Sequence, residues 1–113
     1  MKELAMEEYE IRIEAEEWEP GEFDPACDNT EVEVTFADGA KWEATFLTYA
    51  NLAKLAADNK DNGSFLAGRY FWTRDLILID EISRAAITEV IEKMLETGDF
   101  FEAFGCYGEG HVC

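Results

Sequence analysis

The chain is poor in bases and has a single histidine. Nine lysines and arginines stand against 26 aspartates and glutamates, for a formal net charge of -17. That shortage argues against nucleic acid and anionic membrane as partners, and it favours basic ones. The only histidine, His111, lies in a Gly-rich C-terminal segment. A Ser-His or Cys-His catalytic pair would depend on that one residue. No apolar run approaches the ~20 residues that a membrane helix needs. Acids interrupt residues 1 to 8, so a signal-peptide pattern is absent and a cytoplasmic location is expected. Cysteine is sparse too: Cys27, Cys106 and Cys113 are an odd set without a C-x-x-C pair. Reduced thiols are expected. Cys106, His111 and Cys113 lie close in sequence, but a fourth zinc ligand would have to be Cys27 or a carboxylate. We therefore expect no metal. Gly63 and Gly68 do not fall in a phosphate-cradling motif, and no cofactor is expected.

What is present points to one folded domain. The chain has 113 residues and is 48% apolar, enough to bury a single core. Its charge is uneven. Residues 1 to 33 hold 13 acids and 2 bases, whereas residues 34 to 80 hold 6 and 5. From Tyr9 the pattern alternates, with Tyr9, Ile11, Ile13 and Ala15 on one face. Glu8, Glu10, Arg12, Glu14 and Glu16 fall on the other, which predicts a half-buried strand. Pro20, Gly21 and Pro25 mark a loop through Asn29.

Residues 30 to 47 read as a hairpin, and its turn length can be deduced. A two-residue Asp38-Gly39 loop would pair Phe36 with Lys41 and Val34 with Glu43, mixing the faces. A three-residue loop, Ala37-Asp38-Gly39, pairs Phe36 with Ala40, Val34 with Trp42 and Val32 with Ala44. One face then stays dry. This length predicts a type I turn closed by Gly39 in the left-handed conformation.

Thr48 predicts the cap of a helix running to about Asn62, with Tyr49, Leu52, Leu55 and Ala56 as its apolar stripe and Gly63 as its stop. Leu76 to Ile79 is an unbroken aliphatic run, read as the central strand covered on both faces. Tyr70-Phe71-Trp72 is either the bent first half of that strand or a hairpin arm beside it. Ile82, Ser83 and Ile87 form a staple-and-cap pattern. It opens a helix from about Arg84 to Thr97, with Ile87, Val90, Ile91, Met94 and Leu95 inward and Gly98 at its end. Phe100, Phe101 and Phe104 suggest a further short turn. The order β-β-β-α-β-α gives an α+β fold: about four strands, mainly antiparallel, with two helices packed on one face. The domain is expected over residues 1–104, with a flexible tail over 105–113.

Alternation places many glutamates on one side of the first three strands. Like charges facing each other across strands destabilise a sheet, so such a surface fits selection for a basic partner. Glu10, Arg12, Glu14, Trp18, Glu31 and Glu33 are the candidate partner-binding residues. No catalytic set stands out, and a non-enzymatic binding module is expected. The alternatives are a small enzyme using Asp75 or Asp80 in an aromatic pocket, and a self-associating domain using Phe100, Phe101 and Phe104. Monomer and homodimer both remain open.

The run Phe46-Leu47-Thr48-Tyr49-Ala50-Asn51-Leu52 is followed by Gly68-Arg69-Tyr70-Phe71-Trp72 and Asp75-Leu76-Ile77-Leu78-Ile79. Over roughly residues 29 to 97 this resembles small acidic bacterial proteins without assigned activity, similar in style to immunity proteins that neutralise bacterial toxins. The resemblance implies a toxin domain as the basic partner. It assigns a role to no residue.

Overall fold

The computed structural model describes residues 9–19 and 21–107. The fold is α+β, as the pattern predicts. Five strands, β1 (Tyr9–Ile13), β2 (Asn29–Phe36), β3 (Lys41–Thr48), β4 (Leu76–Ile79) and β5 (Gly105–Tyr107), form one sheet. Its helices are α1 (Tyr49–Asn62), α2 (Ser64–Gly68), α3 (Arg84–Thr97) and α4 (Phe100–Ala103). β1, β2 and β3 form an antiparallel meander. β4 runs parallel to β3 and pairs with its C-terminal half, while β5 runs antiparallel and pairs with its N-terminal half. The two therefore share one edge of β3, end to end.

The hairpin closes as its pattern dictates. Val32 pairs with Ala44 and Val34 with Trp42. Gly39 N–H donates to the Phe36 carbonyl at 2.9 Å, and Phe36 N–H to the Ala40 carbonyl at 2.9 Å. Gly39 has φ +90°, and Asp38 Oδ1 accepts from Ala40 N–H at 2.9 Å. This register puts Val32, Val34, Ala44 and Phe46 into one core with Ile13, Ile77 and Ile79. Helices α3 and α4 cover that face. Ile82, Ile87 and Ile91 are at most 1% exposed. Full burial of each such side chain stabilises by about 1.5–3 kcal/mol. Ser83 Oγ accepts from Ala86 N–H at 3.1 Å, so the staple lies beside a formed cap. Phe100 and Phe104 stack at 4.2 Å between ring centroids, and Phe104 meets Phe46 edge-on at 6.1 Å.

Four expectations are corrected. Leu76–Ile79 is not central: among the described residues β3 is its only strand partner, and only Ile77 and Ile79 of its residues are buried. β3 takes the middle because eight residues with dry and wet faces can pair along both edges. Tyr70-Phe71-Trp72 is neither strand nor hairpin arm but irregular chain, with Tyr70 and Trp72 exposed. β1 stops at Ile13, and a 3-10 turn over Glu14–Glu17 follows. There Ala15 N–H donates to the buried Thr30 Oγ1 at 2.8 Å, a bond that a continuing strand would forgo. Finally, Gly105–Tyr107 is a strand rather than the start of a loose tail. The Gly-rich composition that reads as looseness conceals a short edge pairing with β3. Residues 108 to 113 lie outside the described residues.

Cysteine chemistry also departs from expectation. Cys27 is a free, half-buried thiol, but Cys106 is disulfide-bonded. An odd cysteine count requires only one free thiol, not three. His111 and Cys113, weighed above as metal ligands, lie outside the described residues.

Helix α1 begins at Thr48, whose Oγ1 accepts from Asn51 N–H at 3.0 Å, and ends at Gly63. It contributes nothing to the main core cluster. Tyr49 is 59% exposed, and Leu52, Leu55 and Ala56 are only half-buried. A side-chain bond anchors its start: Asn29 Nδ2 donates to Asn51 Oδ1 at 2.8 Å.

Two stability measurements check this architecture. Gly39→Ala should destabilise by roughly 1 kcal/mol in urea melts, because alanine is strained at positive φ. Ending the chain at Phe104 should lower the urea midpoint by removing β5. An unchanged midpoint would show that β5 contributes nothing.

Candidate functional site

Alternation along the meander sends one set of side chains away from the core. Glu10 and Arg12 on β1, Glu31 and Glu33 on β2, and Lys41 and Glu43 on β3 share that face. Register then sets the neighbours. Arg12 lies opposite Glu33, and Glu33 lies opposite Glu43. The row therefore runs cation, anion, anion across three strands. Glu10 and Glu31 are exposed, while Glu33 and Glu43 are half-buried.

Arg12 is engaged elsewhere. Its Nε and Nη2 donate to Glu17 Oε2 and Oε1 at 2.7 and 2.9 Å. The hydrogen bond and charge of Glu17 raise its pKa, and Arg12 in turn lowers that of Glu17. Glu43 shows what is left uncompensated. Burial, together with the charges of Glu31 and Glu33, pushes its carboxyl above the usual carboxylate range, and Arg12 only partly opposes this.

A cleft of about 150 Å³ opens beside this row, lined by Glu31, Glu43, Ala44, Thr45, Thr73, Arg74 and Asp75. Asp75 positions its far wall. It adopts φ +52°, and its carbonyl accepts from Thr45 N–H at 2.9 Å, which starts the pairing of β3 with β4. The preceding Thr73-Arg74 is thereby held against the acidic strands. Three carboxylates and one guanidinium border the cleft, a setting suited to a cationic group. No cluster of His, Cys, Asp or Glu among the described residues is arranged to hold a metal ion.

The six candidate residues do not all converge. Glu10, Arg12, Glu31 and Glu33 share the face. Glu14 opens the 3-10 turn beyond the strand, and Trp18 is half-buried, edge-to-face with Phe23 at 5.8 Å. Glu16 leaves the face to bind Arg84, with Nε–Oε2 at 2.9 Å and Nη2–Oε1 at 2.8 Å. Arg84 also donates to the Ile11 carbonyl at 2.9 Å, fastening the edge strand to the head of α3. Asp75 borders the cleft, but Asp80 sits exposed in the bend after β4, and no aromatic residue lines the cleft. Phe100 and Phe104 are buried, leaving only Phe101 partly exposed, so that trio forms no surface patch. Glu43 was absent from the candidate set, although the deduced hairpin register already placed it opposite Glu33. Thr73 carries no comparable signal, because its place depends on the crossover back to β3.

No protein family, curated protein or solved structure matches the chain. Among the described residues, no helix is long and apolar enough to cross a membrane.

Of the three perturbed glutamates, Glu43 and Glu16 respond oppositely to pH. Glu43, raised in the folded state, binds protons there more readily than in the unfolded chain. Its ionisation therefore opposes folding as pH rises through its folded pKa. Glu16, lowered chiefly by its hydrogen bond to Arg84, contributes stability above its unfolded pKa, and this is lost as pH falls through the folded value. Glu43→Gln should stabilise at neutral pH and converge on wild type in acid. Glu16→Gln should destabilise at neutral pH, with the gap closing in acid. Urea melts across pH measure both, and a Glu43→Gln variant weaker than wild type at neutral pH contradicts the strained-carboxylate account.

Proposed function

We propose that the protein is an acidic binding module whose outer sheet face, with Glu10, Glu31, Glu33 and Glu43, occludes a basic protein partner. The observation that carries this reading is the direct opposition of Glu33 and Glu43 on a face whose one strand-borne arginine is turned to Glu17. Facing like charges weaken a sheet. A lysine or arginine supplied from outside would neutralise them, and the cleft beside Glu43 offers room for such a side chain. A predominantly acidic surface also accelerates encounter with an opposite charge, an effect that fades as salt shortens the Debye length to ~8 Å at physiological ionic strength. The resemblance to immunity proteins supports a toxin domain as that partner, with neutralisation by occlusion. Trp18, half-buried against Phe23, has less free surface for anchoring than Arg74 at the cleft.

The test replaces Glu10, Glu31, Glu33 and Glu43 by Lys. Wild type and variant serve as baits in low-salt extract of the source organism, and the association rate of each captured protein is then measured with both. The variant should keep its circular dichroism spectrum and associate at least ~10-fold more slowly with a basic partner. Equal rates for the two folded proteins would reject this face as the binding surface.

A further inference from the structure

The connection from α1 to β4 carries features that the acidic face does not use. After Gly63, Phe65, Leu66 and Ala67 all adopt left-handed backbone, with φ of 55°, 54° and 59°. They form one left-handed helical turn, α2, closed by Ala67 N–H to the Gly63 carbonyl at 3.2 Å and Arg69 N–H to the Phe65 carbonyl at 3.1 Å. For L-residues this handedness crowds each Cβ against the following carbonyl oxygen, so the turn is strained. The turn is pressed against α1: a Cβ on Gly68 would lie 2.5 Å from the Ala56 carbonyl oxygen. On α1 itself, Asn59 Nδ2 is buried without a hydrogen-bond partner.

This strained arm presents apolar surface to solvent. Leu66 is 67% exposed, Trp72 64% and Tyr70 51%. Phe65 holds the group together, 5.3 Å from the rings of both Tyr70 and Phe71. Exposed apolar clusters of this kind mark interaction surfaces, and strained backbone gathers at such places. The arm's charge is opposite to that of the chain. Residues 62 to 74 contain Arg69 and Arg74 and no acid. Both arginines are exposed, and no ion pair among the described residues uses either. At Arg74 the arm borders Glu31 and Glu43 across the cleft. A basic aromatic surface thus adjoins an acidic one. Two-fold symmetry makes such a pair of surfaces self-complementary, since each half of one copy meets the opposite half of the other.

We infer that the arm is a self-association surface: in a two-fold dimer, the Arg69–Arg74 segment of each copy lies on the acidic sheet face of the other. Aromatic rings would supply the apolar contact that charge alone lacks, and the two arginines would meet Glu31 and Glu33 of the second copy. The inference shares the acidic face with the proposed function but does not need a foreign partner. If both hold, dimerisation and partner binding compete for that face.

Sedimentation equilibrium on the full chain and on two charge variants tests this. Wild type should dimerise. R69E/R74E alone and E31K/E33K alone should each weaken the dimer by roughly tenfold or more, since each sets like charges against each other. An equimolar mixture of the two variants should restore it, because each then offers the charge that the other requires. A wild type that stays monomeric overturns the inference, as does a mixture that fails to pair. A dimer unaffected by R69E/R74E also overturns it and indicates apolar arm-to-arm contact. Arg74 lines the cleft but Arg69 does not, so R69E alone leaves the acidic face and the cleft intact, and its capture of a basic partner reports on the functional proposal separately. Monomeric wild type that still binds such a partner would sink the dimer and leave that proposal standing.

Discussion

The register of β2 against β3 is the constraint on which everything else depends. Side chains alternate with a period of two, so a slip by one residue would carry every buried group of a strand to the wet face. The Ala37-Asp38-Gly39 turn excludes that slip. It pairs Val32 with Ala44 and Val34 with Trp42, and in doing so pairs Glu33 with Glu43. The dry core and the crowded acidic face are thus two sides of one geometric choice. The sheet cannot have the first without the second unless the glutamates themselves change.

That coupling explains why the acidic face is tolerated. Val32, Val34 and Phe46 are fully buried, and their contribution outweighs the repulsion on the outer side. The surrounding charges are managed unequally. Arg12 with Glu17, and Arg84 with Glu16, form short two-pronged pairs that fix the end of β1 and the start of α3. Among the described residues Glu43 has no such cationic partner, and burial, the charges of Glu31 and Glu33 and a side-chain hydrogen bond with Glu33 make it keep its proton more readily. The fold settles charge at its corners and leaves it unsettled in the middle of the sheet.

Local signals are legible in this sequence and distant ones are not. The turn at Gly39, the Thr48 and Ser83 caps, the Ile82–Ile87 staple and the stops at Gly63 and Gly98 each depend on residues within a few positions, so they were legible. Leu76–Ile79 was misplaced because apolar content reveals burial but not which strands lie alongside. Tyr70-Phe71-Trp72 looked like core because aromatics usually are core. Its exposure follows from the left-handed turn at Phe65–Ala67, which no propensity rule anticipates for three residues without glycine. The candidate face was partly legible. Its β2 glutamates followed from alternation, whereas Thr73, Arg74 and Asp75 reach it only through a crossover whose path depends on tertiary packing. Glu14 follows from an alternation that the 3-10 turn cuts short.

The end-to-end placement of β4 and β5 on one edge of β3 has a consequence for biosynthesis. A chain leaves the ribosome N-terminus first, at about 5–20 residues per second. The meander can close as soon as Thr48 emerges, and β4 can then dock on the second half of β3. The first half, Lys41 to Glu43, must wait for Gly105–Tyr107, after both α3 and α4 have been made. Over that interval the nascent chain holds an open hydrogen-bonding edge beside Trp42, which invites pairing with another chain. The charges of Lys41 and Glu43 on that edge make a stranger's strand a poorer fit, guarding the gap until the chain's own β5 arrives.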